Sequence, residues 1–205
     1  VKITGKGLYK GTKTVNFNIR PATVTKLKVS STGEKSVKLS WKKVTGADSY
    51  AIYRYDNTSK KWQRIKTVKA VSFTDSGLAR AKGYSYKVKA VKKSGGKEYI
   101  SASYSKAVEA VTKPAKASCT AKSAGSGSIE VSWKAVGGAS GYEIYSSSNG
   151  SDYVKSAKVG GSHKSAIVSG FEPYSLRMVK VRAYKTVNGK TSYGAFSQAV
   201  MVIVR

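Results

Sequence analysis

Residues that could carry nucleophilic or metal chemistry are few and far apart in the sequence. Cys119 is the only cysteine and His163 the only histidine among the 205 residues. A cysteine–histidine dyad needs both side chains on one rim of a site, but Cys119 aligns with an inward strand position and His163 falls in the glycine-containing loop 160–164. We expect Cys119 to be a small buried core residue and His163 to be solvated. One cysteine and one histidine also exclude a four-ligand zinc site.

The acidic residues do not suggest a catalytic pair either. Glu130 and Glu143 occupy outward positions of strands expected in different sheets, which argues against the paired carboxylates of a glycosidase. The glycine-rich run at 123–128 lies between two strands and lacks the Lys-Ser/Thr that ends a phosphate-binding loop. The sequence therefore predicts no catalytic residue, no metal site and no cofactor, and we expect the chain not to be an enzyme.

Aromatic side chains are the remaining candidates for contact with a ligand. The chain has 14 Tyr and 3 Trp, and alternation places many of them in the core. Four are expected to be partly exposed and able to stack on a sugar ring: Trp62, Tyr99, Tyr153 and Tyr193. The alternative is that each ring covers a sheet face and keeps only its polar tip in water.

One sequence pattern occurs twice in the chain. Residues 36–53 (SVKLSWKKVTGADSYAIY) correspond to residues 128–145 (SIEVSWKAVGGASGYEIY), which places Trp41 and Trp133 92 residues apart. A period of this length indicates two copies of one domain, because solenoid repeats run only about 20–50 residues. Each copy alternates apolar and polar residues around a glycine-containing turn, which predicts two half-buried strands.

The remainder of each copy continues as short strands and turns. In the first copy the further predicted strands are Val24–Ser30, Trp62–Ile65, Val71–Thr74, Tyr84–Val91, a strand from Tyr99 onwards and Ala107–Val111. With the strands of Trp41 and Tyr50, this makes a series of short strands whose turn signals recur about every 8–12 residues, the pattern of an antiparallel β-sandwich. We therefore predict an all-β chain of two tandem antiparallel sandwiches.

The chain resembles two tandem fibronectin type III domains of the bacterial extracellular kind, at residues 21–113 and 114–205. The family repeats a strand-B Trp and a Tyr-x-Ile/Val-x-Tyr strand, which here correspond to Trp41 and to the segment 50–53. The resemblance is to a fold, often called Ig-like, that carries many unrelated functions.

The family also has a Leu-x-Pro-x-Thr-x-Tyr corner. It corresponds to Leu78 and Tyr84, with Arg80 at the proline position. The resemblance implies that the Tyr84 hydroxyl bonds the backbone of the preceding loop. The second copy has Phe171 and Pro173 but Arg177 at the tyrosine position, so the resemblance does not extend to that bond there.

Residues 1–20 stand outside the repeat. Two alternating runs flank a glycine-rich loop and predict a β-hairpin without a core of its own; the runs are Val1 and Ile3, then Val15, Phe17 and Ile19. The sequence GKGLYKG before a Phe-x-Ile strand resembles the last two strands of bacterial Ig-like domains. This resemblance implies the C-terminal hairpin of a truncated upstream domain.

The charge of the chain is strongly and unevenly basic. The formal net charge is +28, of which residues 21–113 carry +15 and residues 114–205 carry +8. Such a balance concerns polyanionic partners and solubility, not fold. No apolar run approaches the 18 or so residues of a membrane span.

The fibronectin-like resemblance favours non-catalytic extracellular modules of a bacterial secreted or cell-wall-associated protein, acting as a spacer or adhesion element. The expected partners are neighbouring domains of the same polypeptide, with cell-wall polyanions or glycans as further candidates. The alternative is a carbohydrate-binding accessory module of a polysaccharide-degrading enzyme. A third interpretation, as a nucleic-acid binder, draws only on lysines interleaved with aromatic residues, and we expect no specific nucleic-acid partner.

Overall fold

The computed structural model describes residues 2–8, 10–14 and 19–205, and this part of the chain consists of β-strands, turns and loops, without a helix. The all-β prediction is confirmed. Accordingly, the described residues contain no helix that is long and apolar enough to cross a membrane.

A short hairpin begins the described chain. Strands β1 (Lys2–Thr4) and β2 (Thr12–Thr14) pair antiparallel, with Lys2 opposite Thr14. The Gly5 N–H donates to the Gly11 carbonyl over 3.1 Å. A hairpin is thus present, but its second strand precedes the predicted one. Ile19 lies outside any strand and is largely exposed, and Val1, Val15 and Phe17 lie outside the described residues.

The first repeat contains two sheets. One is three-stranded in the order β3-β4-β7, and the other is ordered β10-β8-β5-β6, with β9 also beside β8. The strands are β3 (Lys28–Thr32), β4 (Ser36–Ser40), β5 (Ser49–Asp56), β6 (Lys61–Val68), β7 (Ser72–Ser76), β8 (Gly83–Ser94), β9 (Lys97–Ile100) and β10 (Val108–Val111).

The first strand of this repeat was predicted to begin too early. It was expected at 24–30, whereas β3 spans Lys28–Thr32. Lys26 has φ = 55°, a left-handed conformation that interrupts an extended strand. Val24 is nevertheless buried and Leu27 half-buried, so the segment before β3 still contributes apolar side chains to the interior.

The second repeat has the same arrangement. Its sheets are ordered β11-β12-β15 and β14-β13-β16-β17, with β18 also beside β16. Its buried side chains form one core cluster to which both sheets contribute, including Ile129, Trp133, Ile144 and Val181. The strands are β11 (Cys119–Ser123), β12 (Ser128–Trp133), β13 (Gly141–Ser147), β14 (Val154–Gly160), β15 (Ser165–Ser169), β16 (Leu176–Val187), β17 (Lys190–Tyr193) and β18 (Val200–Ile203).

The chain divides into two compact units. One comprises the residues up to 28, 40–73 and 86–108, and the other comprises 29–39, 74–85 and 109–205. The domain limits expected from the sequence, 1–20, 21–113 and 114–205, stay a prediction.

The repeated tryptophans occupy equivalent buried positions, as predicted. Trp41 and Trp133 are each 6% exposed, and each ring lies against the repeated tyrosine, with centroids 5.3 Å from Tyr50 and 5.1 Å from Tyr142. Each tyrosine hydroxyl accepts a backbone N–H from the preceding turn. The donor to Tyr50 is Val44, over 2.8 Å, and the donor to Tyr142 is Val136, over 2.7 Å. This bond explains why the tyrosine recurs beside the tryptophan: it fixes the turn between the two strands.

The two corners differ, as the sequence indicated. In the first repeat the Ala79 N–H donates to the Tyr84 hydroxyl over 2.9 Å. In the second, the guanidinium of Arg177 lies over the Phe171 ring, 4.9 Å from its centroid. Arg177 Nε is buried and has no hydrogen-bond partner among the described residues. A cation–ring contact therefore stands where the first repeat has a hydrogen bond.

Candidate functional site

The outward face of each larger sheet carries most of the candidate residues. On β8, Tyr86, Val88 and Ala90 are fully buried, so the alternating Lys87 and Lys89 point to the opposite side. Lys87 is opposite Tyr53 on β5. We call this surface face one and define it by Tyr53, Tyr55, Trp62, Arg64, Lys87, Lys89 and Tyr104.

Face one is built from alternating rings and ammonium groups. Lys87 Nζ lies 4.4 Å from the Trp62 ring centroid and 5.4 Å from that of Tyr104. Lys89 Nζ lies 4.3 Å from the Tyr104 centroid. Tyr53 meets Tyr104 edge-on at 5.0 Å. Lys87 and Lys89 cover these rings. A ligand that stacked on the same rings would have to displace these lysines.

Glu98 lies at the margin of face one, where it pairs with Arg64 and, at 3.9 Å, with Lys93. Arg64 donates to Glu98 over 3.0 Å, and also to the Thr67 hydroxyl from two nitrogens. The hydrogen bond from Arg64, more than the opposing effect of burial, holds the pKa of Glu98 below its ordinary value. Burial is the main cause that raises the pKa of Tyr53, with the neighbouring Tyr104 adding to it.

The corresponding surface of the second repeat has an acid at its centre. We call it face two and define it by Glu143, Tyr145, Tyr153, Lys155, Lys180, Arg182, Tyr193 and Phe196. Glu143, on β13, is opposite Arg182 on β16. Arg182 donates to Glu143 Oε2 from two nitrogens, over 3.0 and 2.7 Å. Lys155 Nζ lies 3.4 Å from the other carboxylate oxygen.

Glu143 is buried although it points outward. Its exposure is 1%, because the side chains of face two cover it. Burial raises the pKa of this carboxyl, but the hydrogen bonds and charge of Arg182, assisted by Lys155, outweigh burial and leave the pKa lowered. The outward position expected for Glu143 agrees with its place opposite Arg182, but alternation did not predict that neighbouring side chains bury it.

Rings and cations close over this carboxylate. The Arg182 guanidinium lies 4.1 Å from the Tyr193 centroid and 4.8 Å from that of Phe196. Lys180 Nζ lies 3.3 Å from the Tyr153 centroid. Tyr145 meets Phe196 edge-on at 5.0 Å, and its hydroxyl donates to Glu143 over 3.3 Å. The side chains of face two thus contact one another, and these contacts within the sheet give them a structural role.

The four aromatic candidates have different surroundings. Tyr153 and Tyr193 are brought together in face two, while Trp62 belongs to face one and meets Tyr55 edge-on at 5.3 Å. Tyr99 is half-buried on β9, opposite Lys92. The most exposed aromatic that the structure describes, Tyr174 at 85%, was not selected from the sequence. Its place in a turn beside Pro173 was the available signal.

Cys119 and His163, the candidates for nucleophilic chemistry, lie in different parts of the second repeat. Cys119 is half-buried, a correction to the expected full burial, and its Sγ lies 3.1 Å from the Ser197 hydroxyl. His163 is exposed, and its backbone carbonyl accepts the Trp133 indole N–H over 3.1 Å. Cys119 lies on β11, whereas His163 lies between β14 and β15.

The other acid considered from the sequence, Glu130, lies on β12 and therefore in a different sheet from Glu143, as predicted. It pairs with Lys122 over 3.1 Å. Within the described ranges, no group of three or more His, Cys, Asp and Glu side chains could hold a metal ion.

Comparison with known proteins includes a relative that is similar in sequence. No family model matches the chain. A poly(3-hydroxybutyrate) depolymerase of Ralstonia pickettii is 43% identical over 100 residues, which are 49% of this chain and 18% of that protein. The chain thus spans less than a fifth of the length of this curated relative.

One solved structure shows the fold. A segment of two fibronectin type III domains from chicken tenascin superposes with a TM-score of 0.53 at 17% identity, covering 88% of this chain and 99% of that one. The FN1–FN3 domains of chicken CNTN1 give a TM-score of 0.45 at 18% identity, covering 100% of this chain and 76% of that one. With its paired sheets, buried repeated tryptophans and this likeness to tenascin, the chain has the fold of tandem fibronectin type III domains.

Proposed function

We propose that the chain is a pair of non-catalytic extracellular modules that hold other domains apart in a longer polymer-degrading protein. The observation that carries this proposal is that rings on the two outward faces are covered by cations from the same sheet. Lys87 covers Trp62, Lys180 covers Tyr153 and Arg182 covers Tyr193. Such faces are self-contained, as a spacer requires.

A sugar-binding platform would need these rings to be open. A pyranose stacking on Trp62 would compete with Lys87 for the same ring, and cation–ring contacts at surface sites are worth about 0.5–1 kcal/mol each. On face two the cost is larger, because Arg182 also holds the buried carboxylate of Glu143. The geometry therefore favours the spacer over the carbohydrate-binding alternative.

The relative supports the place of the modules in a longer protein. The matched 100 residues are about the length of one predicted repeat and form a minor part of a depolymerase. An extracellular location is part of this proposal, because the chain resembles fibronectin type III domains of the bacterial extracellular kind. The proposal does not include depolymerase activity for this chain.

The first experiment tests binding and catalysis. The purified chain is incubated with poly(3-hydroxybutyrate) film and, separately, with insoluble polysaccharides, and both soluble products and retained protein are measured. We expect no product, and retention equal to that of a Trp62→Ala/Tyr153→Ala variant. Retention that this variant loses would overturn the spacer role in favour of an accessory binding module.

The second experiment tests spacing directly. The chain joins a polymer-degrading catalytic domain to a polymer-binding domain, and a Gly/Ser linker of equal residue number replaces it in the control. The distance between the ends of a flexible linker fluctuates widely, so the Gly/Ser control cannot fix the separation of the two domains. We expect equal rates on soluble oligomers and a higher rate on solid polymer for the protein with the folded modules. Equal rates on solid polymer would contradict a spacer role.

A further inference from the structure

Three connections of the first repeat meet beside Trp41: those that join β4 to β5, β6 to β7 and β8 to β9. The Trp41 N–H donates to the Val71 carbonyl over 3.0 Å, which ties the first connection to the second. The Asp48 carboxylate accepts the Lys93 N–H over 2.7 Å, which ties the first connection to the third. We call this end of the repeat the loop end and define it by residues 41–48, 69–71 and 92–97.

The loop end is strongly basic. It contains six lysines and one acid, Asp48. Lys92 pairs with Asp48 over 3.0 Å, and Lys93 lies 3.9 Å from Glu98. The other four lysines are exposed and have no acidic partner among the described residues: Lys42, Lys43, Lys69 and Lys97. Unpaired positive charge gathered in this way attracts anions.

The loop end also contains a buried hydrogen-bond donor without an acceptor. Trp41 is 6% exposed, and its indole Nε1 has no hydrogen-bond partner in the part of the chain that the structure describes. Buried polar groups nearly always have a partner, because an unsatisfied one carries the full cost of its removal from water. The equivalent Trp133 has such a partner, since its indole N–H donates to the His163 carbonyl over 3.1 Å.

The length of one turn explains this difference. In the β6–β7 turn, residues 69–70 separate the residue opposite Tyr50 from the one whose carbonyl accepts the Trp41 backbone N–H. The equivalent β14–β15 turn is two residues longer, with residues 160–163 in this place. Its last residue, His163, supplies the carbonyl for the indole. The shorter turn of the first repeat supplies no such carbonyl, so the indole N–H of this repeat is directed at the turn without an acceptor there.

We propose that the loop end binds a phosphate group, with the Trp41 indole N–H as one donor and the unpaired lysines as its countercharge. A phosphate has several oxygens that accept hydrogen bonds at once, and lysine binds it as a point charge. Lys42 and Lys43 follow Trp41 directly, and Lys69 lies in the short turn. The turn residues 69–71 are exposed, so a local shift of this turn brings a phosphate oxygen to the place that His163 fills in the second repeat.

The inference goes beyond the spacer role and does not depend on it. The spacer role is tested by rates on solid polymer, whereas phosphate binding is measured on the chain alone, so the two can fail separately. The phosphate group can be free inorganic phosphate or part of an extracellular polymer, and the chemistry of recognition is the same.

The test follows the indole N–H groups of the ¹⁵N-labelled full chain by NMR. The chain has three tryptophans, Trp41, Trp62 and Trp133, and single Trp→Phe variants assign their resonances. Inorganic phosphate and polyphosphate are titrated separately, with sodium chloride at equal ionic strength as the control. We expect a saturable shift of the Trp41 indole N–H alone. No shift of Trp41, or equal shifts of Trp41 and Trp133, would overturn the proposal.

The two titrations also distinguish the sources of the phosphate group. Several unpaired lysines can engage neighbouring phosphates of one polymer, so a polymeric ligand should half-saturate the shift at a roughly tenfold lower phosphate concentration than inorganic phosphate. Equal concentrations would support the site with free phosphate as its ligand.

Matched lysine variants separate the loop end from the general charge of the chain. Lys42→Gln/Lys69→Gln should raise the half-saturating concentration severalfold. Lys134→Gln/Lys164→Gln removes the same charge from the second repeat and should leave that concentration unchanged. Equal effects of the two pairs would overturn the assignment of the site to the loop end.

A turn exchange tests the indole donor itself. Residues 69–70 are replaced by Gly-Gly-Ser-His, the sequence of residues 160–163. The longer turn should supply the missing carbonyl, so the Trp41 indole N–H should stop responding to phosphate. A response that persists in this variant would contradict the role of the indole donor.

Discussion

Faces one and two share an arrangement of rings and differ most at the centre, where Ala51 lies beneath the side chains of face one. Ala51 on face one corresponds to Glu143 on face two, 92 residues later, and the opposing residues are Lys89 and Arg182. Both faces keep an edge-on ring pair at 5.0 Å, Tyr53–Tyr104 and Tyr145–Phe196. The ring scaffold is therefore common to both, and the acid is the variable part.

The position of the acid decides how costly its loss is. On face one Glu98 sits at the margin, with its side chain 35% exposed, and pairs with Arg64. On face two the side chain of Glu143 is 2% exposed and pairs with Arg182, itself 22% exposed. Exposed pairs contribute about 0–1 kcal/mol, whereas breaking a buried pair leaves an uncompensated charge. The same sheet face can therefore hold its cations over rings or over a carboxylate, with very different energetic consequences.

The largest effect should be shared by both repeats. Trp41→Ala and Trp133→Ala are each expected to lower the free energy of unfolding by about 3–5 kcal/mol, because each leaves a cavity at an equivalent core position. Chemical denaturation followed by circular dichroism measures the loss. A loss under about 1 kcal/mol in either repeat would contradict the equivalence of the two cores.

The next change tests the central difference between the faces. Glu143→Ala should cost about 2–4 kcal/mol, somewhat less than a fully buried pair because Arg182 retains access to water. Adding Arg182→Lys recreates the Ala51 and Lys89 combination of face one and should recover a substantial part of the loss. Urea unfolding of the single and double variants gives the interaction energy.

Glu130→Ala is the control for this pair. Glu130 also pairs with a lysine, but the side chain of Lys122 is 74% exposed, so its loss should cost at most about 1 kcal/mol. Equal losses for Glu130→Ala and Glu143→Ala would mean that burial of the acid on face two contributes nothing.

The lowered pKa of Glu143 makes face two sensitive to acid. A carboxyl whose pKa is lower in the folded than in the unfolded state stabilises the fold above the unfolded pKa, and this contribution is lost as the pH falls. We therefore expect it to be complete above the ordinary glutamate value of 4.5 and to decline below that pH. The urea midpoint of the unmodified chain should fall more steeply below pH 4.5 than that of Glu143→Gln. Parallel curves would contradict the assigned cause.

The repeat period predicted the core, but only part of the faces. Trp41 and Trp133 could be assigned because their spacing and alternation are local properties of the sequence. The burial of Glu143 could not, because it depends on Arg182, 39 residues away, and on the rings around it. Alternation predicts which way a side chain points. It does not predict which long side chains of neighbouring strands cover it. The cations over Trp62 and Tyr153 escaped prediction for the same reason.

The corner should show a smaller asymmetry. Tyr84→Phe removes the acceptor for the Ala79 N–H and is expected to cost about 0.5–1.5 kcal/mol, the net worth of one hydrogen bond. Arg177→Met in the second repeat keeps contact with Phe171 and removes a buried nitrogen that has no partner within the described part of the chain, so it should be nearly neutral. Thermal or urea unfolding measures both. Equally large losses would show that the two corners are not the equivalents the spacing indicates.

Surface charge should distinguish the repeats least. We expect weak binding to polyanions that falls steeply with salt, since screening shortens the Debye length from about 10 Å at 0.1 M to about 3 Å at 1 M. The first repeat carries +15 and the second +8, so Lys38→Gln/Lys42→Gln should lower the elution salt from heparin or polyphosphate more than Lys134→Gln/Lys164→Gln. All four lysines are exposed, and each pair of substitutions removes the same charge. A larger effect of the second pair, or binding that persists at about 1 M salt, would mean that a shaped site and not the charge holds the polymer.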